Sequence, residues 1–171
     1  MSTTRRMRDH RSGSGTHRWS QKQMLLPLPL EHVREISLAN HLALVGCGAE
    51  SGLLHSLNEV IRVAYLSYFL WEAGYGTSKA SLFYEVEDAL NIAVDRANLT
   101  GCWRLENAEL ELMKRLVALH DEQLSGVSAK NYVAAKRRLE TLLKTPRTVS
   151  PIKRPNPVAE AKEMAPNPTS R

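Results

Sequence analysis

Six histidines, two cysteines and 18 carboxylates are the side chains in this 171-residue chain that bind metal ions or move protons. Metal sites announce themselves by spacing, because ligands one helical turn or one tight loop apart converge on one ion. His32, His41, His55 and His120 show no HxxxH, HExxH or ExxH spacing, and Cys47 and Cys102 form no CxxC pair. No metal site is expected. Asp121 and Glu122 are adjacent, and neighbours on a helix point roughly 100° apart, so they are expected to be a solvated pair rather than an acid–base couple. Cys47 sits in Val45-Gly-Cys-Gly48 with no base in sight, which fits a glycine-flanked helix end better than a nucleophile. Gly46-Cys-Gly-Ala-Glu-Ser-Gly52 lacks a lysine and follows a helix, so it is not a phosphate loop. His120 falls on an apolar helical stripe, where a hydrogen-bonded core histidine is the ordinary outcome. Neither an enzyme nor a cofactor is implied.

What remains is the chemistry of positive charge, and its position matters more than its sum. The chain carries 23 Lys plus Arg against 18 Asp plus Glu, a net +5. Residues 1–24 hold Arg5, Arg6, Arg8, Arg11, Arg18 and Lys22 against Asp9 alone, a local +5. Residues 145–171 carry +3, and residues 25–144 between them carry −3. Any polyanion contact must therefore come from the ends or from a local patch. Six side chains that neutralise phosphates give a log–log salt slope of about −5. Trp19 and His17 lie in the same arm, where they can stack on exposed bases.

Proline marks the same three parts. All eight prolines are Pro27, Pro29 or lie from Pro146 onward. An interior proline loses a backbone donor and clashes with the preceding turn, so the proline-free stretch between them is expected to be helical. The segments outside it, such as Arg11-Ser-Gly-Ser-Gly-Thr16 and Pro151-Ile-Lys-Arg-Pro-Asn-Pro157, are too poor in apolar groups to offset ordering entropy. The expected organisation is a disordered basic arm over 1–24, a helical domain over 25–144 and a disordered, proline-rich basic tail over 145–171.

Glycines and cap residues divide the domain into five amphipathic segments. The fold class expected is all-α, a compact bundle of about five helices. The first segment covers about 31–45 and is expected to stop at Gly46 and Gly48. The second, running to Ala73, carries Leu57, Val60, Ile61, Ala64, Tyr68 and Trp71 at steps of three and four and ends where Gly74 and Gly76 bracket Tyr75. The third starts from a Thr77 or Ser78 cap and breaks at Asn98-Leu-Thr-Gly101. The fourth is capped near Glu106 or Asn107 and closes near Gly126. The fifth follows Ser128 and sets Tyr132, Ala135, Leu139 and Leu142 on one side, Lys130, Lys136, Arg137 and Arg138 on the other.

Two partner surfaces follow. The second segment is apolar nearly all round, which suits the central helix of a bundle, with a protein partner or a second copy as the alternative occupant of Tyr65, Tyr68, Phe69 and Trp71. The fourth and fifth segments have the layout of a helix-turn-helix, with Lys130, Lys136, Arg137 and Arg138 placed to meet nucleic acid. Asp121 and Glu122, however, occupy the place where the first helix of such a unit packs, and a plain helical hairpin explains the same residues. The apolar stretch around 60–71 is too short to span a membrane and contains Arg62. No membrane is expected, and two cysteines without a framework fit a reduced cytoplasmic protein.

In Leu28-Pro-Leu-Glu-His-Val-Arg-Glu-Ile-Ser-Leu-Ala-Asn-His-Leu-Ala-Leu44, Tyr65-Leu-Ser-Tyr-Phe-Leu70 and Leu119-His-Asp-Glu-Gln-Leu124, the sequence resembles short bacterial proteins labelled Fis-type transcriptional regulators. The likeness spans roughly 25–143 and contains no catalytic or ligand motif. It implies a bacterial cytoplasmic origin and a regulatory role, with no functional residue carried over.

Overall fold

A computed structural model describes residues 20–50, 52–145 and 150–154. The described chain is all-α, with helices α1 (Gln21–Met24), α2 (Leu30–Gly48), α3 (Leu54–Glu72), α4 (Ala80–Thr100), α5 (Asn107–Gly126) and α6 (Ala129–Leu142). Two isolated bridges, Pro27 with Ser128 and Gly52 with Trp103, are the extended pairings among the described residues. Of the six helices, α1 is the one the periodicity did not foresee. Four residues are too few for a repeating pattern, and Ser20 and Gln23 make it with a reciprocal capping box.

The apolar periods place α3 at the centre, packed against α2, α4, α5 and α6. Leu57, Val60, Val63, Ala64, Leu66, Ser67, Tyr68, Phe69 and Leu70 are all buried along it. A helix surrounded on every side needs apolar groups on every side, which is what this segment has. Tyr68 and Trp71 each meet Phe83 of α4 with ring centroids 5.4 Å apart. The Trp71 indole N–H donates to the Ser78 carbonyl at 2.9 Å, which fixes the α3–α4 turn.

Several local expectations change. Gly46 and Gly48 do not stop α2 but lie in its last turn. A Cβ on Gly46 would stand 2.3 Å from the Ser56 hydroxyl oxygen, so this glycine lets α3 approach α2 and is not a terminator. The α4 N-cap is Lys79, without a side-chain cap bond, rather than Thr77 or Ser78. Ser128 caps α6 through the Asn131 N–H, and Glu106 with Glu109 forms the capping box of α5. The α4–α5 connection is bonded to the end of α2, with the Leu105 N–H donating to the Cys47 carbonyl at 2.9 Å, and to the α2–α3 connection through the Gly52–Trp103 bridge. Gly52 is indispensable there. Its φ is +59°, and a Cβ would fall 2.3 Å from the backbone of Trp103 and Arg104.

Helix α6 does not fold back on α5 as a hairpin; it runs along α3, and α1 sits against it. Backbone bonds from Ala129 N–H to the Leu26 carbonyl (2.9 Å) and from Leu28 N–H to the Val127 carbonyl (3.1 Å) hold the start of α6 to the chain entering the domain.

The segment after α6 is also corrected in part. Within the tail expected to be disordered, residues 150–154 form a strap across α3 and α4. Ile152 is buried in the core. The Lys153 N–H donates to the Tyr68 hydroxyl at 3.2 Å, and the Tyr84 hydroxyl donates to the Lys153 carbonyl at 3.0 Å. Arg154 bonds Asp88 at 2.6 Å and Glu87 at 3.2 Å, and the Ser150 hydroxyl donates to Glu87. Hydrogen bonds from Arg154 hold the Asp88 carboxyl below its ordinary range. A single isoleucine and an arginine opposite two carboxylates carry no period, so no pattern-based reading registers them.

On the other side of α4, Arg96 clamps Glu109 of α5 through two bonds of 2.7 and 2.9 Å and donates to the Arg104 carbonyl at 3.0 Å. The Glu109 side chain is only 11% exposed. Arg96→Ala strands that carboxylate, and a loss of about 2 kcal/mol in urea unfolding is expected, with helix content in the folded state unchanged.

Candidate nucleic-acid interface

The basic residues expected to meet phosphate fall into three groups. Arg5, Arg6, Arg8, Arg11 and Arg18 lie outside the described residues. Lys22 is exposed on α1, at the start of α6. Lys130, Lys136, Arg137 and Arg138 are all exposed on α6.

Geometry sorts the last four. Helix α6 turns Tyr132, Ala135 and Leu139 inward. Opposite them stand Lys130, Ala134, Arg137, Thr141 and Lys144, at alternating steps of four and three, all exposed. The three cations repeat at every seventh position, so at 1.5 Å per residue they extend along about 21 Å of one face. The residues between them are small. None of Lys130, Arg137 and Lys144 has an ion-pair partner among the described residues. Lys136 is exposed on one flank. Arg138, on the other, is committed to the fold: it bonds Glu72 at 2.6 Å and lies 4.2 Å over the Phe69 ring. Lys144 was missed because it follows the helix, although its seven-residue step from Arg137 would have found it.

The aromatic surface expected on α3 is not a surface. Tyr68 and Phe69 are buried, and Tyr65 and Trp71 are half-buried against neighbouring helices. The Tyr68 hydroxyl donates to Glu72 at 3.1 Å, so even its polar end is occupied within the chain.

Asp121 and Glu122 are not simply solvated. Asp121 accepts from the His41 ring at 2.8 Å, tying α5 to α2, and Glu122 accepts from Thr77 at 3.3 Å. Just inside them is the buried polar centre of the bundle. Gln123 donates from Nε2 to the carbonyls of Ser67 (3.0 Å) and Tyr75 (3.1 Å). Its Oε1 accepts from the Ser67 hydroxyl at 2.8 Å and lies 3.3 Å from His120 Nδ1. Two donors and two acceptors exhaust the amide. Because Oε1 can only accept, Nδ1 must carry the imidazole proton, which leaves Nε2 a bare lone pair, buried and without a partner. Burial lowers the pKa of His120 to about 4, and this side chain is neutral at pH 7.

Chemistry beyond this is sparse. The Cys47 thiol is buried, and burial pushes its pKa up to about 11, so it is a packing group at neutral pH. No group of three or more His, Cys, Asp or Glu side chains among the described residues is arranged to hold a metal ion. No helix among them is long and apolar enough to cross a membrane.

No family model matches the chain, and no curated protein sequence or solved structure is significantly similar to it.

Proposed function

We propose that this chain is a non-enzymatic bacterial regulatory protein of the cytoplasm that holds nucleic acid, DNA in the first instance, by its phosphates. The contacts come from the basic arm and from the outward row Lys130, Arg137 and Lys144. The observation that carries this reading is that row: three exposed cations in line, free of ion pairs within the described chain, on a domain whose middle is acidic overall. The arm supports it by connectivity, since residues 1–19 lead into α1, and α1 is seated on the start of α6. Helices α5 and α6 do not pack as a pair, so the reading rests on phosphate contact and not on a helix-turn-helix in a groove.

The test is an electrophoretic shift on a duplex titrated with salt. Five arm cations and three on α6 give an affinity loss on the order of 10⁴-fold between 50 and 200 mM salt. Deleting residues 1–19 is expected to flatten the log–log slope by about 4 to 5, and Lys130→Ala with Arg137→Ala and Lys144→Ala by about 3. Absence of binding at 50 mM salt, or wild-type slopes in both variants, overturns the proposal.

A further inference from the structure

Residues 150–154 meet the domain as a short peptide meets a receptor. Of the five, Ile152 alone is buried, while Lys153 and Arg154 stand at the surface. The backbone of Lys153 is held at both its polar groups by tyrosines from different helices. Its N–H donates to the Tyr68 hydroxyl at 3.2 Å, and its carbonyl accepts from the Tyr84 hydroxyl at 3.0 Å. Contacts of that kind are open to any residue but proline, and specificity comes from the side chains around them. Ile152 fills an apolar socket in the core. Ser150 sets the bend before it, because its hydroxyl oxygen accepts from the Ile152 N–H at 3.0 Å while its own proton goes to Glu87.

The arginine site is the most specific part. The Arg154 guanidinium lies against both Asp88 oxygens, at 2.6 and 3.2 Å, one Glu87 oxygen at 3.2 Å and the Tyr84 carbonyl at 3.4 Å. Its central carbon is 5.6 Å from the centre of the Tyr84 ring. A planar fork of five donors suits that set, and the point charge of a lysine does not. Glu87 is the one carboxylate residue buried among the described residues, 6% exposed, and Arg154 is its one ion-pair partner among them. From the helices themselves it receives the Tyr65 hydroxyl, at the long distance of 3.5 Å. A buried carboxylate there calls for a cation that the helices around it do not supply. One buried side chain and a few surface bonds are little against the entropy of ordering five residues. A short tether, worth an effective concentration on the order of 1 mM, is what favours the chain's own segment.

We infer that the groove between α3 and α4 is a peptide-recognition site, with residues 150–154 as its tethered occupant, and that it takes in their place a partner protein's segment of the same pattern: a hydroxyl residue, then two positions on an aliphatic residue, then two positions on an arginine. The segment is basic because the receptor is acidic, with Glu72, Glu87 and Asp88 facing the occupant. The chain's own tail competes with it. The inference does not depend on nucleic-acid binding.

Fluorescence anisotropy of a labelled peptide with the sequence of residues 149–155 tests it. The receptor is the full chain carrying Ile152→Asp and Arg154→Glu, which remove the tail's own anchors. Arg154→Ala alone, at an exposed side chain, is the milder second variant. Both are expected to keep the far-UV circular dichroism of the parent and to bind the peptide saturably. The double variant should bind it at least tenfold more tightly than the parent, whose groove is filled, and the single variant less so. Arg154→Lys in the peptide is expected to weaken binding about tenfold or more, as is Asp88→Asn in the double variant. No saturable binding to either folded variant, binding to the parent as tight as to the variants, or equal binding of the Arg154→Lys peptide overturns the inference. So does loss of helix content in both variants, which makes residues 150–154 part of the fold rather than an occupant of it.

Discussion

Replacing Gln123 with alanine is expected to lower the unfolding free energy by about 3–4 kcal/mol, the cost of leaving several buried polar groups without partners. The substitution strips the Ser67 and Tyr75 carbonyls of their donor and the Ser67 hydroxyl and His120 Nδ1 of their acceptor. Each uncompensated group costs about 1–3 kcal/mol, and water entering the space left by the amide offsets part of the sum. For a domain of this size the melting temperature should fall by roughly 10–15 °C. Ser67→Ala removes one bond and should cost about 1 kcal/mol. Urea unfolding followed by circular dichroism checks both, and a Gln123→Ala protein within 1 kcal/mol of the parent would mean that the amide does not hold α3, α5 and the α3–α4 turn together.

The second large effect is in acid. His120 titrates near 6.5 when unfolded and at about 4 in the fold, chiefly because burial disfavours its charged form. Between those values the unfolded chain binds a proton that the folded chain does not, so stability falls as pH falls. The contribution is intact above about pH 6.5, declines down to about pH 4 and does not decline further below it. The full loss is about 3 kcal/mol. The bare Nε2 explains the direction, because a proton added there would place an N–H in the core with no acceptor. Unfolding free energies measured from pH 7.5 to 4 in the parent and in His120→Asn give the comparison. The parent should show the steeper decline, and equal slopes would remove His120 as the cause.

Much of this was legible in residue order. The proline-free stretch, the three-and-four spacing of α3 through α6, the Ser128 cap and the glycine at position 101 mark helices whatever surrounds them, because they reflect local backbone chemistry. His120 on an apolar stripe was legible as a core histidine. Gln123, three residues on, was not, because its partners Ser67 and Tyr75 stand about fifty positions away and share no pattern with it.

The candidate interface divides the same way. Lys130, Arg137 and Lys144 are a period-seven row that the order of residues contains in full. That Arg138 beside it is engaged within the fold depends on Glu72 and Phe69 arriving on α3, and that Tyr68 and Phe69 are core rather than surface depends on four helices closing around them.

Local order thus settled the helical class, most helix ends and the separation of positive charge at the termini from an acidic middle, since each follows from propensity, proline placement and counting. Assembly settled which charges stay free, which aromatics disappear and which apolar face is left over. Leu38 and Leu44 are equally apolar in the chain, and only the arrival of α3 and α5 on one side of α2 makes Leu44 core and leaves Leu38 outside. Burial is a property of neighbours distant in sequence, and helical periodicity cannot distinguish an apolar face turned to the core from one turned to solvent.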